Sequence, residues 1–164
     1  MPTTLPTTPR TTRLLPTPVL AAALLVLLAP AFAAAQVDLD LRTGVYTEES
    51  DPFVGIGANA RVTGQWFFNP NAEFVFVDNG DLVTVNADFH RDLAERGWPV
   101  DFWLGGGPAL IFRDPDRGDS ETDFGFNLLA GVGFLRGAAV RPYVQGKVVL
   151  SDDSQAVVAF GLRF

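Results

Sequence analysis

The chain has 164 residues, 48% of them hydrophobic and 19% charged, with 12 basic against 19 acidic side chains and a formal charge of −7. That balance excludes a disordered or collagenous chain and a large multidomain machine. With no cysteine, one histidine and a single lysine (Lys147), it also excludes disulfide frameworks, thiolate metal sites and a basic face for nucleic acid.

Residues 1–35 read as a cleavable export signal. Arg10 and Arg13 form a positive start, Val19 to Ala29 is an apolar run too short to span a bilayer, and Ala33, Ala34 and Ala35 supply small residues at a cleavage site. The mature domain is then residues 36–164.

From there the rhythm changes to apolar residues at every second position, the period of a strand. In chain order the predicted strands are Val37 to Tyr46, Phe53 to Val62, Trp66 to Phe76, Val83 to His90, Asp101 to Phe112, Phe124 to Phe134, Val140 to Leu150 and Gln155 to Phe164. Eight strands with short links predict an all-β fold, a closed antiparallel up-and-down barrel whose two edges pair with each other.

Alternation does not say which face looks outward, since a soluble carrier barrel is apolar inside. The polar face decides it. It carries one lysine, several arginines and many glycines, a poor solubilising surface, and its acids nearly balance its bases. Charges enclosed together must pair. The expected lumen network is Asp38, Asp40, Arg42, Arg61, Glu73, Asp88, Asp101, Arg141, Lys147 and Arg163. On the apolar face Trp66, Phe68, Phe89, Phe102, Phe134 and Phe164 gather at one rim and Phe74, Phe76, Phe112, Phe124 and Phe126 toward the other, the two girdles of a transmembrane barrel.

At this point the mature chain resembles the small eight-stranded outer-membrane barrels of Gram-negative-type bacteria, of the OmpX, OmpA-domain and OmpW kind. The residues that carry the resemblance are Ala156-Val157-Val158-Ala159-Phe160-Gly161-Leu162-Arg163-Phe164, with weaker support from Asn86-Ala87-Asp88-Phe89-His90 and Leu104-Gly105-Gly106-Gly107-Pro108. The resemblance implies an outer-membrane location with both termini periplasmic. It implies membrane lipid and lipopolysaccharide as surroundings, and Phe160, Leu162 and Phe164 as a signal for the barrel-assembly machinery. The outer connections, Thr47 to Pro52, Asp78 to Asp81, Arg113 to Glu121 and Ser151 to Ser154, are short for such a barrel. They and their flanks collect 12 of the 19 acids at one end.

Several groups could carry chemistry. Asp114, Asp116, Asp119 and Glu121 alternate around a glycine, as calcium loops do, so they are candidate divalent-cation ligands; a solvated acidic loop is the plainer reading. Arg117-Gly118-Asp119 is an integrin-type tripeptide that chance explains. His90 is the only available general base, and Ser50, Ser120, Ser151 and Ser154 are all placed at the opposite end of the barrel, which speaks against a hydrolytic triad. Glu73 and Asp88 could pair as carboxylates, but pairing with Arg61 or Arg141 is the expectation. No cofactor motif is present.

Eight strands leave a bore that side chains can fill, and Trp103, Tyr143 and the arginines are the expected filling. Gly105, Gly107, Gly125, Gly131 and Gly133 are the positions that could leave a cavity. The expected function is a non-enzymatic structural or envelope barrel with a plugged lumen. The alternatives are a narrow porin-like channel and a soluble periplasmic lipocalin-like barrel around a lipophilic ligand.

Overall fold

The computed structural model describes residues 37–95, 97–115 and 119–164; residues 1–35, expected to be an export signal, and Asp116 lie outside them. Eight strands follow in chain order: β1 (Val37–Tyr46), β2 (Asp51–Thr63), β3 (Trp66–Val75), β4 (Asp81–Asp92), β5 (Asp101–Asp114), β6 (Glu121–Gly133), β7 (Arg141–Leu150) and β8 (Gln155–Arg163). Each pairs antiparallel with the next, and β8 returns to β1 to close the barrel. Closure runs from Asp40 opposite Arg163 to Tyr46 opposite Val157. Two further bonds, Leu39 N to Phe164 O at 3.2 Å and Phe164 N to Leu39 O at 3.0 Å, extend the seam.

The predicted strands are all present, and several run longer than the alternation suggested. The β5–β6 hairpin continues to Arg113 opposite Glu121, and the β4–β5 ladder reaches Asp81 opposite Asp114. Backbone pairing needs no apolar side chain, so hairpins zip on through polar residues beyond the barrel wall. Val37 and Phe164 lie at one end, here the terminal end, with connections 64–65, 93–100 and 134–140. The loop end carries 47–50, 76–80, 151–154 and the link between Asp114 and Glu121. The tightest link turns on Gly64 at φ 54°, a left-handed conformation that glycine adopts without a Cβ clash.

One ladder irregularity helps build the interior. Pro70 in β3 has no N–H, and β2–β3 pairing skips from Gly57–Asn71 to Ala60–Phe68. The side chain of Asn69 steps in, its Nδ2 donating to Ala58 O at 2.8 Å.

The strand parity resolves which face is which. On β6, Phe124, Phe126 and Leu128 are exposed, Phe124 by 70%, while Asn127 between them is 0% exposed. The same order holds around the barrel. Leu104, Val144, Val148 and Phe160 face outward, and Asp40, Glu73, Asp88 and Lys147 are buried inside. Exposed Trp66, Phe89, Phe102, Phe134 and Phe164 ring the terminal end, with Phe74, Phe76, Phe124 and Phe126 nearer the loop end.

Candidate functional site

The interior is stacked in layers along the bore. Beneath the loops lies an apolar layer of Tyr46, Phe53, Val75, Leu82, Ile111, Val149, Val157 and Ala159, drawn from every strand except β6. Tyr46 and Phe53 meet edge to face at 5.6 Å. Tyr46 Oη also donates to Glu73 Oε2 at 2.7 Å, which fastens this layer to the one below.

That next layer is ionic. Lys147 Nζ reaches both oxygens of Glu73, at 2.9 and 2.7 Å, and Arg42 Nη1 approaches Glu73 to 3.7 Å. Arg42 also pairs with Asp40 at 3.1 Å and donates to Asn69 Oδ1 at 2.6 Å. Asp40 accepts from Tyr143 Oη at 2.6 Å and from Arg163 Nε at 3.2 Å. All of these groups are buried, so each charge relies on protein partners in place of water. Asp88 brings the acids and bases buried midway along the bore to three of each, with Asp92 buried nearer the terminal end, but among the described residues amides hold it. Asn71 Nδ2 donates at 3.0 Å and Asn127 Nδ2 at 2.8 Å, while Asn86 bridges Asn71 and Asn127.

Toward the terminal end the filling turns aromatic. Trp103 meets Tyr143 at 5.6 Å and donates to Gln145 Oε1 at 3.1 Å. The Arg163 guanidinium lies 4.5 Å from the Trp103 centroid and 4.7 Å from that of Tyr143. Two of the glycines expected to leave a cavity, Gly131 and Gly133, instead seat Trp103, and Gly161 seats Tyr143. A Cβ on Gly131 would strike the Trp103 indole, one on Gly161 the Tyr143 ring, and one on Gly133 would come within 3.2 Å of Trp103. Small residues on the wall are what let large ones fill the bore.

The expected charge network therefore divides. Asp40, Arg42, Glu73, Lys147 and Arg163 form one cluster. Asp38 pairs with Arg141 at the half-buried mouth. Asp101 pairs with Arg136 at 2.9 Å. Glu73 takes Lys147 and Arg42 in place of the expected Arg61 or Arg141. The reason is height along the bore: Arg61 lies opposite Phe67 near the terminal end, and Glu73 lies opposite Gly55 toward the loops. Arg61 is exposed, with its guanidinium 5.2 Å from the Phe67 ring. Sequence reasoning missed the interior amides and Arg136, which also holds Asp92 at 2.9 Å. The amides had a signal, since asparagine is depleted in strands and here recurs at inward parity.

The two mouths differ in charge. The terminal mouth opens on a cavity of ≈ 580 Å³ whose lining includes four arginines and three aspartates. The loop mouth holds ≈ 850 Å³ lined by nine carboxylates and one arginine, Arg113, with Leu82 of the apolar layer also in its lining. Arg113 lies 3.8 Å from Asp123 and 3.5 Å from Asp153. Among the described residues no three acidic or imidazole side chains stand close enough to hold a metal ion. Of the cation-loop residues, Asp114 accepts from Ser120 Oγ at 2.7 Å, Asp119 and Glu121 are exposed, and Asp116 lies outside the description. His90 is buried against Phe67 and Trp103, and the four serines sit in or beside the loop-end connections. Phe160, Leu162 and Phe164 all project from the exterior of the closing strand.

No protein-family model matches the chain, and no curated protein is similar to it. Solved structures are. The N-terminal β-barrel domain of Pseudomonas aeruginosa OprF superposes with a TM-score of 0.68 over 80% of this chain and 98% of that one, at 11% identity. Neisserial surface protein A gives 0.61 over 79% and 94%, at 17% identity. The outer membrane enzyme PagL gives 0.50 over 77% and 98%, at 14% identity. At these identities the likeness concerns architecture, and the fold is that of the small eight-stranded outer-membrane β-barrels.

Proposed function

We propose that this chain is an integral outer-membrane β-barrel with a structural or envelope role, non-enzymatic, its lumen closed by its own side chains. The observation that carries the reading is the inversion of the faces. Leucine, valine and phenylalanine cover the outside of the wall, and a balanced set of charges is enclosed within it. A soluble carrier barrel requires the reverse. In water each outward Leu, Val or Phe would forgo about 1.5–3 kcal/mol of burial, so the belt calls for lipid. On this reading residues 1–35 direct export and are removed, both ends of the mature chain face the periplasm, and the acidic loop end faces outward. Lipid and lipopolysaccharide surround the belt, and Phe160, Leu162 and Phe164 serve as the ending read by the assembly machinery.

Closure rests on two layers of different kinds, an apolar one below the loops and an ionic one beneath it. A conducting path would have to cross both. The distance in the fold between His90 and every serine favours a non-enzymatic role. The test is fractionation followed by gel mobility. Washed outer membranes from expressing cells should retain the protein, and its band should shift on boiling in detergent. Purified barrel in planar bilayers should give no conductance steps. Recovery in the soluble periplasm with no shift would return the carrier barrel to first place.

A further inference from the structure

The cavity at the terminal mouth contains polar groups that the barrel itself leaves unused. Arg136, Arg141 and Arg163 are each matched to an aspartate, at 2.9 Å for Arg136–Asp101 and 3.2 Å for Arg163–Asp40. Arg61 has no acidic partner among the described residues and is held only by its approach to Phe67. Deeper in, Asn59 is 3% exposed, lines the cavity, and buries its Oδ1 without a hydrogen-bond partner. His90, also 3% exposed and lining the cavity, meets its described neighbours through ring faces, stacked on Phe67 at 5.4 Å and tilted against Trp103 at 5.8 Å. Neither of its ring nitrogens makes a hydrogen bond to a described residue. Buried polar groups are normally satisfied, and the orphaned Asn59 Oδ1 calls for an explanation.

We propose that this mouth is a binding site for a small hydroxycarboxylate. The chemistry follows from what is unpaired. Arg61 offers an uncompensated cation with a planar donor fork, which suits a carboxylate. Asn59 Oδ1 accepts and the His90 imidazole can donate and accept, so the rest of the molecule must carry hydroxyl groups. The paired arginines and aspartates around them keep the rim nearly neutral, so one negative charge is the number the site takes. The inference does not depend on the closure of the lumen, since the cavity lies on the near side of Trp103.

The test uses the full barrel in detergent micelles with Trp66 and Trp98 replaced by phenylalanine, which leaves Trp103, in the cavity wall, as the sole reporter. Potassium gluconate is titrated at constant ionic strength against sorbitol, which has the same carbon chain with an alcohol in place of the carboxylate. Gluconate is expected to change Trp103 emission saturably, and sorbitol is expected to leave it unchanged. Arg61→Gln should weaken gluconate about tenfold or more, the effect of losing a charge-assisted bond. Asn59→Ala should weaken it by a smaller factor. Because Arg61 is exposed, its variant should retain the heat shift, which separates loss of binding from loss of the barrel. A non-saturating response, an equal response to sorbitol, or full affinity in Arg61→Gln would overturn the proposal.

Discussion

The loop-end layer of the interior and the layer beneath it fill the same bore by opposite means. Tyr46, Phe53, Val75, Leu82, Ile111, Val149 and Val157 pack across it by apolar contact. Asp40, Arg42, Glu73, Lys147 and Arg163 pair across it by reciprocal charge. Apolar packing degrades gradually as atoms are removed, because each contact is weak and non-directional. An enclosed ion cluster is intolerant of single losses, because every missing partner strands a charge that water cannot reach. The barrel thus has one layer that yields gradually and one that fails sharply.

Breaking the ionic layer should have the largest effect. Glu73→Ala leaves Lys147 without its counterion and removes one of Arg42's. We expect a loss of about 3–5 kcal/mol, read from urea unfolding of the barrel in lipid vesicles. The double replacement Glu73→Leu with Lys147→Met should recover most of that loss, since removing both charges removes the stranded one. If the double variant were as unstable as the single one, the charge explanation would be wrong and only the shape of Glu73 would matter.

In the apolar layer, Leu82→Ala should cost about 2–3 kcal/mol in the same assay, the range for emptying a buried leucine site. It should not open the bore, because the ionic layer remains beneath it. Conductance steps from this variant alone would show that the apolar layer is the seal. Next in size is Gly131→Ala, which pushes a methyl group into the Trp103 indole. The expected cost is about 1–3 kcal/mol from overpacking, with a change in Trp103 emission that an unaffected core would not show. The smallest effect belongs to the mouth. Arg141→Ala breaks a pair with Asp38 whose side chains are a quarter exposed, at 26% and 25%, and should cost less than about 1 kcal/mol.

The wall was legible in the sequence because parity is a local property. From Phe124 to Gly133 the side chains alternate out and in with no reference to any other strand, and the same holds from Gln155 to Arg163. The layering was not legible. Glu73 and Lys147 are separated by 74 positions and meet across the bore, and their common height depends on the register of every strand between them. The same applies to Arg61. Its parity suggested the lumen, but its place near the end of β2 leaves it at the mouth. The glycines at 131 and 133 misled for a related reason. A missing side chain looks like empty space in one strand, and only the barrel shows that Trp103 occupies it.

The central claim is that the apolar face meets lipid, and the absence of cysteine makes a direct test straightforward. Single cysteines at Leu104, Leu128 and Val158, exposed on the exterior of three strands, can carry nitroxide labels in barrels reconstituted into phospholipid vesicles, with a label at Asp152 in a loop for contrast. The account predicts that dissolved oxygen relaxes the three wall labels and a water-soluble nickel complex does not, with the order reversed at Asp152. Wall labels reached by nickel as readily as the loop label would mean that the exterior faces water, and would contradict the account.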